Sequence, residues 1–171
     1  MEAEKRREEL LRSLREAEKP VTGGDLAQRF GVSRQVIVQD IAILRAAGEQ
    51  ILATPQGYMI PLNQAAAAVQ AVLACRHTPQ EIEAEIGIVV DLGGKVLDVV
   101  VEHPVYGEMR GNLMISSRRD LNHFLERLAV TEARPLAELT DGVHLHTIEA
   151  PDNGVLEEII AGLRAAHFLV D

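Results

Sequence analysis

His144 and His146, one residue apart in VHLHTIEA, have the spacing most suited to chemistry in this chain. On a strand, residues i and i+2 face the same way with Cα atoms about 6.5 Å apart. Both imidazoles can then reach one ion, while Leu145 is expected to turn into the core. His77 closes an earlier strand-like segment, and Glu85 follows in a helical one. Together they offer three nitrogens and one carboxylate, a donor set suited to zinc, nickel, iron or manganese, with remaining positions open to water or a ligand. On spacing alone, His144 and His146 also fit two solvent-facing side chains. Cys75 shares a strand face with His77 if that segment is extended. A thiolate would bind strongly, and a small buried hydrophobe is the other reading. His103, in EHPVYGE, is either a ligand-binding group or a strand-end turn residue. His123 and His167 are given no role.

A second constellation lies near the N-terminus. In RQVIVQDIAILRAAG, Ile37, Ile41 and Leu44 mark one helical face, and Arg34, Gln35, Val38 and Gln39 lie opposite. Arginine reads guanine and glutamine reads adenine in the major groove, each contact contributing about 1–3 kcal/mol of discrimination. Arg45, Lys19, Lys5, Arg6 and Arg7 are candidates for phosphate contacts. A merely solvated helix face is the alternative.

These residues need elements to hold them. Residues 3–17 carry Leu10, Leu11, Leu14 and Ala17 at helical spacing and are stopped by Pro20. Thr22 caps the next helix, with Asp25 placed to reach back as in a capping box. Gly31 ends that helix in a left-handed conformation, and Ser33 caps the third. Two short helices with a tight turn are what a helix-turn-helix requires. Short β-runs at Gln50–Ala53 and Tyr58–Ile60, around Thr54-Pro55-Gln56-Gly57, then make a wing. After Pro61 the pattern alternates. A strand is expected in the latter part of 65–77, a helix over PQEIEAEIGIVVDL and a strand over KVLDVVVEH. A turn at 104–108 leads to the strand MRGNLMI. A helix capped by Ser116 or Ser117 follows, cored by Leu121, Phe124, Leu125 and Leu128. The strand VHLHTIEA and a helix starting at Asn153 complete the chain. The predicted class is α+β: a winged helix-turn-helix over 1–61, then an α/β sandwich with a mixed sheet over 62–171.

Charge is divided the same way. Residues 1–60 carry nine Lys/Arg and nine Asp/Glu, so the whole net charge of −9 lies in the second half. DNA should repel the acidic half and accept the neutral one. No apolar run approaches the roughly 20 residues needed to span a bilayer, and the charged first segment is no signal peptide. The expected location is the cytoplasm, and a single cysteine is consistent with a reducing compartment.

Residues 1–60 resemble the winged helix-turn-helix of many bacterial regulators. From about residue 68, CRHTPQEIEAE, VLDVVVEHPVYGE, SSRRDLNHFL and GVHLHTI resemble the three-histidine, or 3H, domain. The pairing is similar to NiaR-type nicotinate-responsive repressors of NAD-precursor uptake and synthesis. That resemblance implies a divalent transition metal, nickel or zinc, held by His77, Glu85, His144 and His146. It also implies nicotinic acid as co-repressor and a homodimer on paired operator half-sites. His103, Tyr106 and Arg110 are the candidate effector contacts, Arg110 because a guanidinium suits a carboxylate. A metal-dependent enzyme fused to a DNA-binding module competes with this reading, but no convincing general base or nucleophile accompanies the histidines. A regulator of another small carboxylic acid and a metal-free dimerisation domain compete with it too.

Overall fold

The computed structural model describes residues 2–61 and 68–170. The chain divides into two compact units, 1–64 and 65–171. The expected boundary between Pro61 and residue 62, and the first residues of the segment 65–77, fall at or inside the stretch 62–67, outside the described residues. Among the described residues, no helix is long and apolar enough to cross a membrane.

In the N-terminal unit, α1 (Ala3–Glu16), α2 (Gly23–Phe30) and α3 (Arg34–Ala46) enclose Leu10, Leu14, Leu26, Ile37, Ile41, Leu44 and Ile51. The helix signals act as read. Thr22 Oγ1 accepts from Asp25 N, Gly31 is left-handed at φ 64°, and Ser33 accepts from Val36 N. One detail differs. Asp25 does not reach the Thr22 backbone; its carboxylate takes the Thr22 hydroxyl instead, at 2.7 Å. The wing strands β1 (Leu52–Thr54) and β2 (Gly57–Met59) begin later and earlier than expected. Ile51 is drawn into the core and its carbonyl accepts from Arg45 Nε, so the extended run starts only at Leu52. Val21 and Tyr58 exchange backbone hydrogen bonds, which ties the wing to the start of α2. Gly57 permits this approach: at φ 131°, a Cβ there would lie 2.5 Å from the Val21 carbonyl oxygen.

The C-terminal unit runs β3 (Val69–Arg76), a 3-10 turn (Pro79–Glu81), α4 (Ile82–Asp91), β4 (Lys95–His103) and β5 (Gly107–Ile115). It continues through α5 (Arg118–Thr131), a second 3-10 turn (Leu136–Thr140), β6 (Val143–Ala150) and α6 (Asn153–Ala165). The class is α+β, as expected. Sheet order is β3-β6-β4-β5, and every ladder is antiparallel, a narrower arrangement than the mixed sheet expected. Helix crossovers do join strands of like direction, β3 to β4 and β5 to β6. In each case another strand inserts between the pair, so no two neighbours are parallel. Ile86, Val89, Leu121, Leu156, Ile159 and Leu163 of the three helices pack on Val96, Ile115, Ile148 and Ala150 of the sheet. Beyond α6, Arg76 N donates to Phe168 O and Val170 N to Ala74 O, covering part of the outer edge of β3.

Candidate metal centre and nucleic-acid interface

His144 and His146 share a strand face, as the two-residue period requires, but it is the face shared with Ile148 and Ala150. They are therefore interior residues, and Leu145 is the half-buried one on the other side, contrary to expectation. The burial pattern along β6 decides this, and alternation alone does not say which set turns inward. β3 delivers His77 just past its end. The capping box of Thr78 and Glu81 starts the helical run that brings Glu85 beneath all three rings.

The four predicted donors converge. Glu85 Oε2 lies 2.6 Å from His77 Nε2 and 3.3 Å from His146 Nε2, and Oε1 lies 3.3 Å from His144 Nε2. All four side chains are almost wholly buried. Each ring's other nitrogen meets a backbone carbonyl: His77 Nδ1 at Thr78 O (2.7 Å), His144 Nδ1 at Gly142 O (2.8 Å) and His146 Nδ1 at Asp98 O (2.5 Å). A carbonyl can only accept, so Nδ1 carries the hydrogen and a neutral ring turns its Nε2 lone pair inward. Three such lone pairs and a carboxylate then face one another with too few protons to satisfy them. A divalent cation would resolve the conflict, since donors bonded at about 2.0–2.2 Å sit roughly 3.0–3.4 Å from one another. Holding metal-ligating histidines by Nδ1–H on carbonyls is also how such ligands are oriented.

Without a cation, these contacts close only where a ring also carries Nε2–H. Burial alone would raise Glu85, but such hydrogen bonds from His144, His146 and His77 reverse it and hold the carboxyl far below its usual range. Burial lowers His77, yet the Glu85 carboxylate outweighs it and the ring ends up more basic than usual. Cys75 pairs with His144 across the ladder, and its sulfur lies with Glu85 and His144 donor atoms in a group spanning no more than 4.8 Å. Burial and the Glu85 charge push its thiol up, consistent with the buried-hydrophobe reading in the absence of a cation.

A groove of about 460 Å³ opens beside His77, lined among others by Pro79, Ile82, Pro135, Ala137, Glu138 and Gly142. His103, Tyr106 and Arg110 are not among its lining residues. His103 Nδ1 accepts from the backbone N–H groups of Val105 and Tyr106 and its ring lies 5.0 Å from that of Tyr106, so it organises the β4–β5 turn. Arg110 is ion-paired to Asp98. Sequence reasoning missed Gly142 and Asp98. Gly142 sits at φ 88°, and a Cβ there would meet the His77 carbonyl oxygen at 2.4 Å. Its place two residues before His144 was the available clue.

On α3, Arg34, Gln35, Val38 and Gln39 are all exposed on the face away from Ile37 and Ile41. Arg45 is exposed at the far end, with Nε committed to Ile51 O. Two phosphate candidates are otherwise engaged: Arg6 bonds Asp40 at 2.7 and 3.3 Å, and Arg7 approaches the same carboxylate at 3.7 Å.

A winged helix-turn-helix followed by a domain with a buried imidazole–carboxylate centre is the layout of a DNA-binding transcription regulator. The chain belongs to the 3H-domain family, whose profile matches residues 70–171, and an HTH-domain profile matches residues 6–59. It is 44% identical over 168 residues to the probable transcription repressor NiaR of Thermotoga maritima, covering 98% of this chain and 95% of that protein. It is 42% identical over 167 residues to the transcription repressor NadR of Bacillus subtilis, covering 96% and 93%. Both relatives are named as repressors, not as enzymes.

Proposed function

We propose that this protein is a transcription repressor of genes for NAD-precursor (niacin) uptake or biosynthesis, acting as a cytoplasmic homodimer on operator DNA. Its co-repressor is nicotinic acid, and its C-terminal domain carries a divalent transition metal, nickel or zinc. The observation that carries the metal is the locked set of three imidazoles whose Nε2 atoms share one buried carboxylate. His77, Glu85, His144 and His146 hold the ion. When bound, it supplies positive charge and Lewis acidity beside the groove, suited to a carboxylate or a pyridine nitrogen.

In this reading nicotinic acid occupies the groove beside His77. Pro79, Ile82, Pro135 and Ala137 offer apolar contacts for a ring. His103 and Tyr106 keep the neighbouring turn in shape, and Arg110 serves Asp98. Arg34, Gln35, Val38 and Gln39 read bases, and Arg45 contacts phosphate. Effector binding favours the dimer geometry in which both recognition helices meet successive major grooves. Effector and operator then raise each other's affinity by the same factor.

A thermal-shift series on untagged protein, with pyridine carboxylates and with or without chelator, tests the site. A ligand that binds only the folded state raises its apparent stability. The expected result is a nicotinate shift that chelator abolishes. An operator titration tests the regulation, and equal affinities with and without nicotinate would overturn it.

A further inference from the structure

We infer that Asp98 is the positioning residue of the metal centre, holding His146 in place and depending on Arg110 to do so. This rests on the metal reading above. The β4–β6 ladder is regular up to Val96–Ile148, then slips by one residue before Val100–Leu145. Three residues of β4 there face two of β6, and the extra length is taken up around Asp98. On the other side of the same stretch β5 also carries an extra residue, with Met114 at φ 51°.

The slip has a chemical use. In an unbroken ladder, a β4 carbonyl aimed at β6 would be taken by a strand N–H. Here the Asp98 carbonyl is free to accept His146 Nδ1–H at 2.5 Å. The N–H of Thr147, which the slip would leave unpaired, goes to Asp98 Oδ1 at 2.9 Å. One residue thus uses its backbone to orient the ligand's ring and its side chain to hold the strand bearing that ring. Its carboxylate is almost buried, and the remaining oxygen accepts from Arg110, whose own side chain is half exposed. A buried carboxylate without that cation would be left uncompensated. Arg110 therefore stabilises the charge of Asp98 and reaches the centre only through it.

The test uses full-length protein, with affinity for Zn(II) read by chelator competition and the ligand field read from the visible spectrum of the Co(II)-loaded form. Asp98→Ala should weaken metal binding about 10–100-fold, the usual cost of removing a group that orients a ligand, and should change the Co(II) spectrum. Asp98→Asn keeps the acceptor for Thr147 and needs no counter-charge, so it should retain wild-type affinity and spectrum. Arg110→Ala should weaken binding in the wild-type background and have no effect in the Asp98→Asn background, a coupling a merely structural arginine would not give. Equal affinity and spectrum for Asp98→Ala and wild type, or equal Arg110→Ala losses in both backgrounds, overturn the inference. If Asp98→Ala does not fold, the ¹⁵N shifts of His146 in wild type decide: Nδ1–H is expected, and an Nε2–H tautomer overturns it. A wild-type protein that binds neither Zn(II) nor Co(II) would sink the metal reading as well. Metal-binding wild type with indifferent Asp98 variants sinks this inference alone.

Discussion

The two units put their polar chemistry in opposite places. In the N-terminal unit the described core is aliphatic apart from Ser13 and Asp40, and the groups suited to reading DNA stand on the surface of α3. In the C-terminal unit Glu85, His144 and His146 lie in the interior, among the most buried residues of the chain. Surface chemistry needs only a rigid, capped helix beneath it. Interior chemistry has a desolvation cost that must be met by contacts among the donors or by a bound ion. The first unit should therefore be insensitive to metal and only weakly sensitive to pH, and the second should respond to both. Glu85→Gln tests that contrast most severely. Its amide can donate to two Nε2 lone pairs, so the domain should fold as well without metal as wild type does. Metal affinity should fall by more than about 100-fold, beyond what loss of an orienting partner costs. Chelator competition measures it, and operator affinity without effector should not move. Retained metal binding would show that the carboxylate is not a ligand.

Acidity should separate the units next. In chelated protein the raised His77 contributes stability fully present below its ordinary value of 6.5 and lost as pH rises through its folded value. The depressed Glu85 contributes stability present above its ordinary value of 4.5 and lost as pH falls. Both contributions coincide between pH 4.5 and 6.5, where the C-terminal unit should melt highest without metal. Metal-loaded protein should trend the other way, because the ion must displace the His77 proton. Calorimetry across pH, with and without chelator, checks this. Parallel curves would mean that the histidine cluster does not couple to the ion.

Arg34→Ala probes the surface side of the contrast. If Arg34 reads a base, operator affinity should fall by about 1–3 kcal/mol, roughly 5- to 150-fold, with less loss on unrelated DNA. Zn(II) affinity should not change. A uniform loss on all sequences would make Arg34 a phosphate contact instead.

How much the sequence discloses follows the same division. The helix-turn-helix is legible nearly to the residue, because Thr22, Gly31 and Ser33 act on their immediate neighbours and local rules suffice. That His144 and His146 share a strand face is also legible, since residues i and i+2 of a strand must do so. Which face is not, because inward orientation depends on Ile148 and Ala150 meeting helices far away in sequence. The antiparallel order is hidden for a related reason: alternating strands and helices fix strand direction but not which strand inserts between two others. Arg110 reads as an effector contact because its partner, Asp98, is brought to it only by the β4–β5 pairing. Arg6 and Arg7 read as phosphate contacts because nothing local reveals that Asp40 on α3 faces α1.

The smallest effect is expected where the local rule is clearest. Ser33 Oγ accepts from Val36 N at 3.3 Å, meeting one of the donors that a helix start leaves unpaired. Ser33→Ala should cost about 1 kcal/mol, and in a unit of this size that lowers the melting temperature by about 4–8 °C. The loss should appear only in the N-terminal transition, with Zn(II) affinity and the Co(II) spectrum unchanged. Ser33→Asp restores an acceptor for Val36 N and adds negative charge at the positive end of the helix dipole, so it should recover the lost stability. The same charge stands next to Arg34, where a DNA phosphate would approach, so operator binding should not recover with it. Rescue of both together would mean that the start of α3 lies away from the DNA backbone, and the assignment of this face to base reading would have to move toward the wing.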